Sequence, residues 1–74
     1  GAPDADPGME RAVHRALEQL PESQRLAIVM HRFQNLSFAE IAQALELSES
    51  AVKVRAHRGY EKLRALLRDL WEGP

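Results

Sequence analysis

The sequence predicts an all-α fold, a small four-helix domain that ends in a helix-turn-helix. Hydrophobic residues make up 45% of the 74 residues and aromatic residues only 5%. This composition, rich in Ala and Leu, favours helices packed on helices. Apolar residues also recur at helical spacing. The chain has no cysteine, so neither disulfides nor a thiolate zinc site supplement its core.

Composition and motif content argue against a membrane protein, a metalloprotein and an enzyme. No apolar run approaches the roughly 20 residues of a membrane-spanning helix, and no segment has the form of a signal peptide. We therefore expect a cytoplasmic protein without membrane insertion. His14, His31 and His57 lack metal-ligand spacing on any one helix, and no glycine-rich phosphate loop is present. We expect no enzyme activity, no metal and no cofactor.

The net charge is −1, but the basic and acidic residues are unevenly distributed along the chain. Residues 1–48 include four basic and seven acidic residues, whereas residues 49–74 include six basic and four acidic residues. Such a basic segment is typical of a surface that faces a polyanion. A solvated helix face explains the charge alone at least as well, so the positions of the cations must decide between the two interpretations.

The first predicted helix follows a lead-in rich in proline and glycine. Residues 1–8, GAPDADPG, are expected to be a flexible linker or a remnant of expression, and residues 9–72 the folded domain. Apolar residues at helical spacing predict a helix over about 9–19. Leu20-Pro21 ends it, because the residue before a proline is pushed out of the helical region.

The second predicted helix begins near Pro21, a residue that suits the first position or the cap region of a helix. It extends over about 21–34, and Asn35 is expected to be a left-handed stop. Its apolar residues are Leu26, Ile28, Val29, Met30 and Phe33.

The next two helices predict a helix-turn-helix. Ser37 and Glu40 have the spacing of a capping box, which begins a short helix over about 38–45. Ser48 caps a last helix that continues to about Trp71. A short helix, a three-residue turn and a second capped helix are the layout of this motif. The residues expected to maintain it are Ser37, Glu40, Ile41, Leu47, Ser48, Val52 and Gly59.

At about 100° per residue, the last helix has two faces. The face expected to pack against the domain consists of Val52, Ala56, Gly59, Leu63, Leu66, Leu67 and Leu70. The centre of the opposite face, expected to face DNA bases, consists of Ser50, Ala51, Val54, His57 and Arg58. Lys53 and Arg64 flank this centre on one side, Arg55 and Lys62 on the other. A helix in the major groove needs this arrangement, because its centre meets base edges while flanking cations reach phosphates.

The segment LPESQRLAIVMHRFQNLSFAEIAQALELSESAVKVRAHRGYEKLRALL resembles region 4 of a bacterial sigma factor, especially of the extracytoplasmic-function group. Leu20-Pro21 with Arg25, Leu36-Ser37 with Glu40-Ile41-Ala42, and Lys62-Leu63-Arg64 all match the family pattern. The resemblance covers about residues 9–67.

This resemblance implies recognition of the promoter −35 element in double-stranded DNA by the last helix. It also implies contact with the β flap of RNA polymerase and, often, sequestration by an anti-sigma factor. The base-facing positions of the family fall on the five residues named above. The residues expected to face phosphate are Lys53, Arg55, Lys62, Arg64 and Arg25.

The chain departs from the family pattern at three places, and these departures limit which properties of the family are expected of this chain. Glu46 stands where the family usually has Gly in the turn, so we expect a positive φ at Glu46. Ser50-Ala51 replaces Gly-Thr, and Val54 replaces Ser. Ser50, Ala51 and Val54 are readout positions, so the family's promoter sequence does not transfer to this chain.

Two alternative functions compete with the sigma-factor interpretation. The output domain of a LuxR-type response regulator shares Ser48-Glu49-Ser50 followed by Val52-Lys53, although Leu20-Pro21 and the Arg55/Arg58 pair favour the sigma factor. A sigma-like protein-interaction module is the other alternative. A partner surface would use Leu26, Met30, Phe33, Leu67 and Trp71. Most of these five are expected to fill the core, and Trp71 is expected to be the most exposed.

Overall fold

The computed structural model describes the backbone of residues 7–72 and the side chains of residues 8–69. The chain forms α1 (Pro7–Glu18), α2 (Glu22–Ile28), a π-helical turn (Val29–Phe33), α3 (Phe38–Leu45) and α4 (Glu49–Glu72). The predicted all-α class is thus confirmed, with four α-helices and no strand within residues 7–72. None of the helices in this range is both long enough and apolar enough to cross a membrane.

Helix α1 begins at Pro7, so it includes two residues of the predicted linker; residues 1–6 lie outside the described part of the chain. Proline is favourable in the first turn of a helix because its missing N–H would have no intrahelical partner there. At the other end, Pro21 is extended, with φ −54° and ψ 146°, and α2 follows. The predicted break at Leu20-Pro21 is confirmed.

The predicted second helix is α2 continued by the π-helical turn. The amide N–H of Gln34 donates to the carbonyl oxygen of Val29 at 3.2 Å, five residues back. Such a turn adds residues per revolution, so the residues that follow are rotated relative to a regular α-helix. Phe33, the last residue of this turn, is 61% exposed. Asn35 has a φ of 58°, which confirms the predicted left-handed stop.

The helix-turn-helix begins at the predicted capping box. The amide of Glu40 donates to Ser37 Oγ at 3.0 Å, and the amide of Ser37 donates to Glu40 Oε1 at 2.8 Å. Helix α3 ends at Glu46, whose φ is 58°. The positive φ expected from a Glu in place of the family's Gly is therefore confirmed. Ser48 Oγ accepts from the amide of Ala51 at 3.1 Å, which confirms Ser48 as the cap of α4.

Two clusters of buried residues hold α4 against the rest of the domain. The first joins α2, α3 and α4 and consists of Ala27, Ile41, Ala42, Val52 and Ala56. The second consists of Leu17, Leu20 and Ile28, with Leu63 and Leu66 packed against it. Gly59 is buried between α4 and α2, where an added Cβ would lie 2.6 Å from Cδ1 of Ile28. The predicted role of Gly59 in a close helix approach is confirmed. The side chains of Leu70 and Trp71 lie outside the described residues.

Candidate nucleic-acid interface

Helix α4 has one buried and one exposed face. Val52 and Ala56 are 0% and 2% exposed, whereas Val54, between them in sequence, is 47% exposed. The side chain of His57 is 76% exposed. The structure thus brings the five predicted base-facing residues to the side of α4 away from the core: Ser50, Val54, His57 and Arg58 are exposed and Ala51 is half-buried. We call these five residues the reading face.

The predicted phosphate-facing cations differ in how far they extend into solvent. Lys53, Lys62 and Arg64 are exposed on α4. Arg55 is half-buried and lines a cleft between α2, α3 and α4 whose other residues are Glu22, Ser23, Leu26, Leu45 and Leu47. Arg25 is half-buried on α2. The side chains of Lys53, Lys62 and Arg64 therefore extend into solvent, whereas the side chain of Arg55 is partly enclosed by the cleft.

Two acidic residues of α4 contact basic groups at or beside the reading face. Lys53 Nζ lies 3.7 Å from Glu49 Oε1, and His57 Nε2 lies 3.1 Å from Glu61 Oε1. Neither pair was predicted from the sequence. The i,i+4 spacing was the signal that could have identified both, because residues four apart are neighbours on a helix surface.

The capping box fixes the start of α3 electrostatically as well as geometrically. The backbone amide and the side chain of Ser37 hold the pKa of Glu40 below its ordinary value, against a smaller opposing effect of desolvation. A carboxylate that accepts backbone N–H bonds is stabilised in its charged form. Glu40 therefore stabilises the start of α3 through its contacts with Ser37.

His31 anchors the loop before α3 to the π-helical turn. Its ring stacks on Phe38 with a centroid distance of 4.2 Å and an interplanar angle of 17°. Its Nδ1 lies 2.9 Å from the carbonyl oxygen of Leu36, so a protonated Nδ1 donates to that carbonyl. These contacts fix α3 relative to α2, and α3 in turn packs against α4. Sequence reasoning did not identify this role of His31.

An apolar groove lies between α1, the π-helical turn and α4. It has a volume of about 460 Å³, and Phe33 and Met9, which are 61% and 37% exposed, line it. The other lining residues are Glu10, Val13, His14, Leu17, Ile28, Arg32, Tyr60 and Leu63. At about 100° per residue, Tyr60 and Leu63 point away from the reading face. The groove and the reading face are therefore different surfaces of α4.

Of the five residues predicted as a partner surface, the four that the structure describes do not come together. Phe33 lines the apolar groove, whereas Leu26 lines the cleft beside Arg55. Met30 packs against the core cluster, and Leu67 is half-buried. The side chain of Trp71, expected to be the most exposed, lies outside the described residues. Of the four that are described, Phe33 is the exposed one. Among the described side chains, residues 8–69, no three His, Cys, Asp or Glu residues form a group that could hold a metal ion.

Comparison with known proteins agrees with this arrangement. The family model described as sigma-70, region 4, matches residues 10–63. The chain belongs to the sigma-70 region 4 family. RNA polymerase sigma factor CarQ of Myxococcus xanthus is 45% identical over 67 residues, which are 90% of this chain and 38% of CarQ. The extracytoplasmic-function (ECF) sigma factor SigW of Bacillus subtilis is 37% identical over 62 residues, which are 84% of this chain and 33% of SigW.

A second Bacillus subtilis relative, the ECF sigma factor SigX, is 43% identical over 54 residues, covering 73% of this chain and 28% of SigX. The region 4 chain therefore spans between about a quarter and two fifths of the length of these relatives. The resemblance to the ECF group is confirmed. The same matches favour a sigma factor over the output domain of a response regulator.

Proposed function

We propose that this region 4 domain recognises the −35 element of bacterial promoters for an RNA polymerase sigma factor, with α4 in the major groove. The observation that carries the proposal is the exposure of Val54. An apolar side chain 47% exposed among cations, opposite a fully buried Val52, suits a surface that meets base edges. In this role the domain is not an enzyme, and it acts in the cytoplasm.

The reading face offers several kinds of base contact. Arg58 is exposed and has the donor fork that pairs with the O6 and N7 atoms of guanine. Val54 and Ala51 offer methyl groups that suit the methyl group of thymine, and Ser50 and His57 offer hydrogen-bonding groups. The cations proposed to contact phosphate, and so to set orientation rather than sequence preference, are Lys53, Arg55, Lys62, Arg64 and Arg25.

We also propose that the apolar groove docks the β flap of RNA polymerase. A groove with exposed Phe33 and Met9 suits the apolar face of an amphipathic helix. Because the groove and the reading face are different surfaces, one domain has room to bind polymerase and DNA together. An anti-sigma factor is the further partner that family membership supports.

The DNA proposal is tested by selection from a duplex library with a randomised central segment, at low salt because the isolated domain is small. We expect the wild-type chain to enrich one sequence family, and Arg58→Ala to lose preference at one base pair of it. Enrichment of no sequence by the wild type would overturn the proposal. Calorimetry with a β-flap fragment tests the docking proposal, since a response-regulator output domain would show no binding.

A further inference from the structure

Four charged or titratable residues follow one another along a single ridge of α4. Glu49, Lys53, His57 and Glu61 are spaced four apart, so their side chains lie in a row on the helix surface. The row consists of two pairs: Glu49 with Lys53 at 3.7 Å, and His57 with Glu61 at 3.1 Å. An acidic residue therefore stands at each end of the row, and the two basic groups stand between them.

Both pairs are in solvent rather than in the core. The side chains of Lys53 and Glu49 are 58% and 52% exposed, and those of His57 and Glu61 are 76% and 60% exposed. Exposed pairs of this kind contribute little to the stability of a fold. Neither burial against the domain nor a contribution to stability therefore explains the presence of Glu49 and Glu61 beside Lys53 and His57.

The basic partner in each pair belongs to the proposed DNA surface. Lys53 is proposed to contact phosphate, and His57 belongs to the reading face. A contact with DNA draws either group away from Glu49 or Glu61. DNA binding therefore weakens an interaction within the domain, and the loss of that interaction lowers the affinity for DNA.

We propose that Glu49 and Glu61 compete with DNA for Lys53 and His57, and so limit the affinity of the domain for DNA. The proposal rests on the proposed function, because it takes α4 as the helix that faces DNA. The strength of one exposed pair corresponds to about a two- to fivefold change in a binding constant. Because a contact of Lys53 with phosphate carries no sequence information, loss of Glu49 should strengthen binding to specific and non-specific duplexes alike. Loss of Glu61 releases His57 of the reading face, so its effect should be on the specific duplex.

General repulsion between carboxylates and DNA phosphates is a simpler explanation for tighter DNA binding by the glutamate variants, and it predicts a different result when the basic partner is removed. Any carboxylate near DNA repels phosphate, and that repulsion does not depend on Lys53 or His57. Competition within a pair does depend on the basic partner, so removing the partner removes the effect of the glutamate. A double-mutant cycle therefore separates the two explanations.

The experiment compares dissociation constants by fluorescence anisotropy for a selected duplex and a scrambled duplex. The single variants are Glu49→Gln and Glu61→Gln. Glu49→Gln is also combined with Lys53→Met, and Glu61→Gln with His57→Gln, and each partner substitution is measured alone. Asp69→Asn is the matched control. It removes one negative charge from an exposed position of α4, two turns beyond Glu61, where the residue four earlier is Ala65.

We expect Glu49→Gln to bind both duplexes, and Glu61→Gln to bind the selected duplex, about two- to fivefold more tightly than the wild type. In the background without the basic partner, the same glutamate substitution should change the dissociation constant no more than Asp69→Asn does. Equal gains with and without the partner, or gains no larger than that of Asp69→Asn, would overturn the proposal. Circular dichroism checks that α4 is intact. Glu49 lies in the N-terminal turn of α4, where its charge also interacts with the helix dipole. Glu61 lies in the middle of α4, so Glu61→Gln tests the proposal without this second effect.

Elution from heparin distinguishes failure of the competition proposal from failure of the promoter proposal on which it rests. The quantity compared is the salt concentration at which each variant elutes. If the wild type prefers no duplex, the promoter proposal fails. Later elution of Glu49→Gln and Glu61→Gln, dependent on Lys53 and His57, would still support competition for a polyanion. If the wild type prefers one duplex but the glutamate variants bind like the wild type, the competition proposal alone fails.

Discussion

A methyl group added at Gly59 would lie 2.6 Å from Cδ1 of Ile28, so these two residues set how closely α4 approaches α2. Ile28 is only 1% exposed, and its side chain has little room to move. Gly59 is thus the point at which α4, the helix proposed to face DNA, packs most closely on the rest of the domain. Glycine weakens a helix locally, but its lack of a side chain permits this contact.

Gly59→Ala is expected to lower the free energy of unfolding by about 1 kcal/mol. Overpacking of a core costs about 1–3 kcal/mol, and the higher helix propensity of Ala returns about 1 kcal/mol. The control is Ile28→Val, which removes the Cδ1 atom in question. In that background Gly59→Ala should be neutral or stabilising, as measured by urea denaturation. Equal effects in both backgrounds would show that the Ile28 contact does not limit the helix approach.

The capping box predicts a loss of stability in acid. Because Ser37 holds the pKa of Glu40 below its ordinary value of 4.5, the unfolded chain takes up this proton at a higher pH than the folded domain. The contribution of Glu40 to stability is therefore complete above its unfolded pKa and is lost as the pH falls through the folded pKa. Glu40→Gln should flatten this part of the pH profile of thermal unfolding.

Substitution of the other capping residue should behave differently. Ser37→Ala removes the hydroxyl but keeps the backbone amide that donates to Glu40, so part of the acid dependence should remain. Loss of an N-cap side chain lowers stability by about 1 kcal/mol, and this loss should appear at every pH measured. A Glu40→Gln profile that still follows the wild type in acid would contradict the assigned role of the carboxylate.

Features that depend on neighbours in the sequence could be predicted. The Ser37–Glu40 capping box, the cap at Ser48 and the positive φ of Glu46 each follow from hydrogen bonds or sterics within a few residues. The two faces of α4 also followed from residue spacing, because α4 is regular and the burial of Val52 and the exposure of Val54 alternate as a 3.6-residue period requires.

Features that depend on an irregular helix or on tertiary arrangement were not predicted. Phe33 is the last residue of the π-helical turn and is 61% exposed, whereas the sequence pattern, which assumes 3.6 residues per turn, counts it among the apolar residues of the second helix. The apolar groove requires α1 and α4 to be placed relative to each other, which local patterns do not specify. The stacking of His31 on Phe38 has the same origin, since it depends on how the loop before α3 folds back.

Arg58 and Lys53 should affect DNA binding in different ways. Arg58→Ala is expected to cost about 1–3 kcal/mol on the preferred duplex and to relax preference at one base pair. Lys53→Ala is expected to weaken binding to all duplexes and to reduce the slope of log K against log salt by about one. Anisotropy titrations at several salt concentrations measure both effects. Binding like the wild type by both variants would show that α4 does not enter the major groove in the proposed way.

Phe33→Ala should separate partner binding from folding. Phe33 is 61% exposed, and substitutions at exposed positions usually change stability by less than about 0.5 kcal/mol. Leu17→Ala, in the buried wall of the same groove, is the contrasting variant and should cost about 2–5 kcal/mol. If the groove docks the β flap, Phe33→Ala should weaken binding of a flap fragment in calorimetry while leaving thermal unfolding and DNA affinity unchanged. Unchanged flap binding by a folded Phe33→Ala variant would assign the flap to another surface, because loss of this aromatic ring removes the largest exposed apolar side chain of the groove.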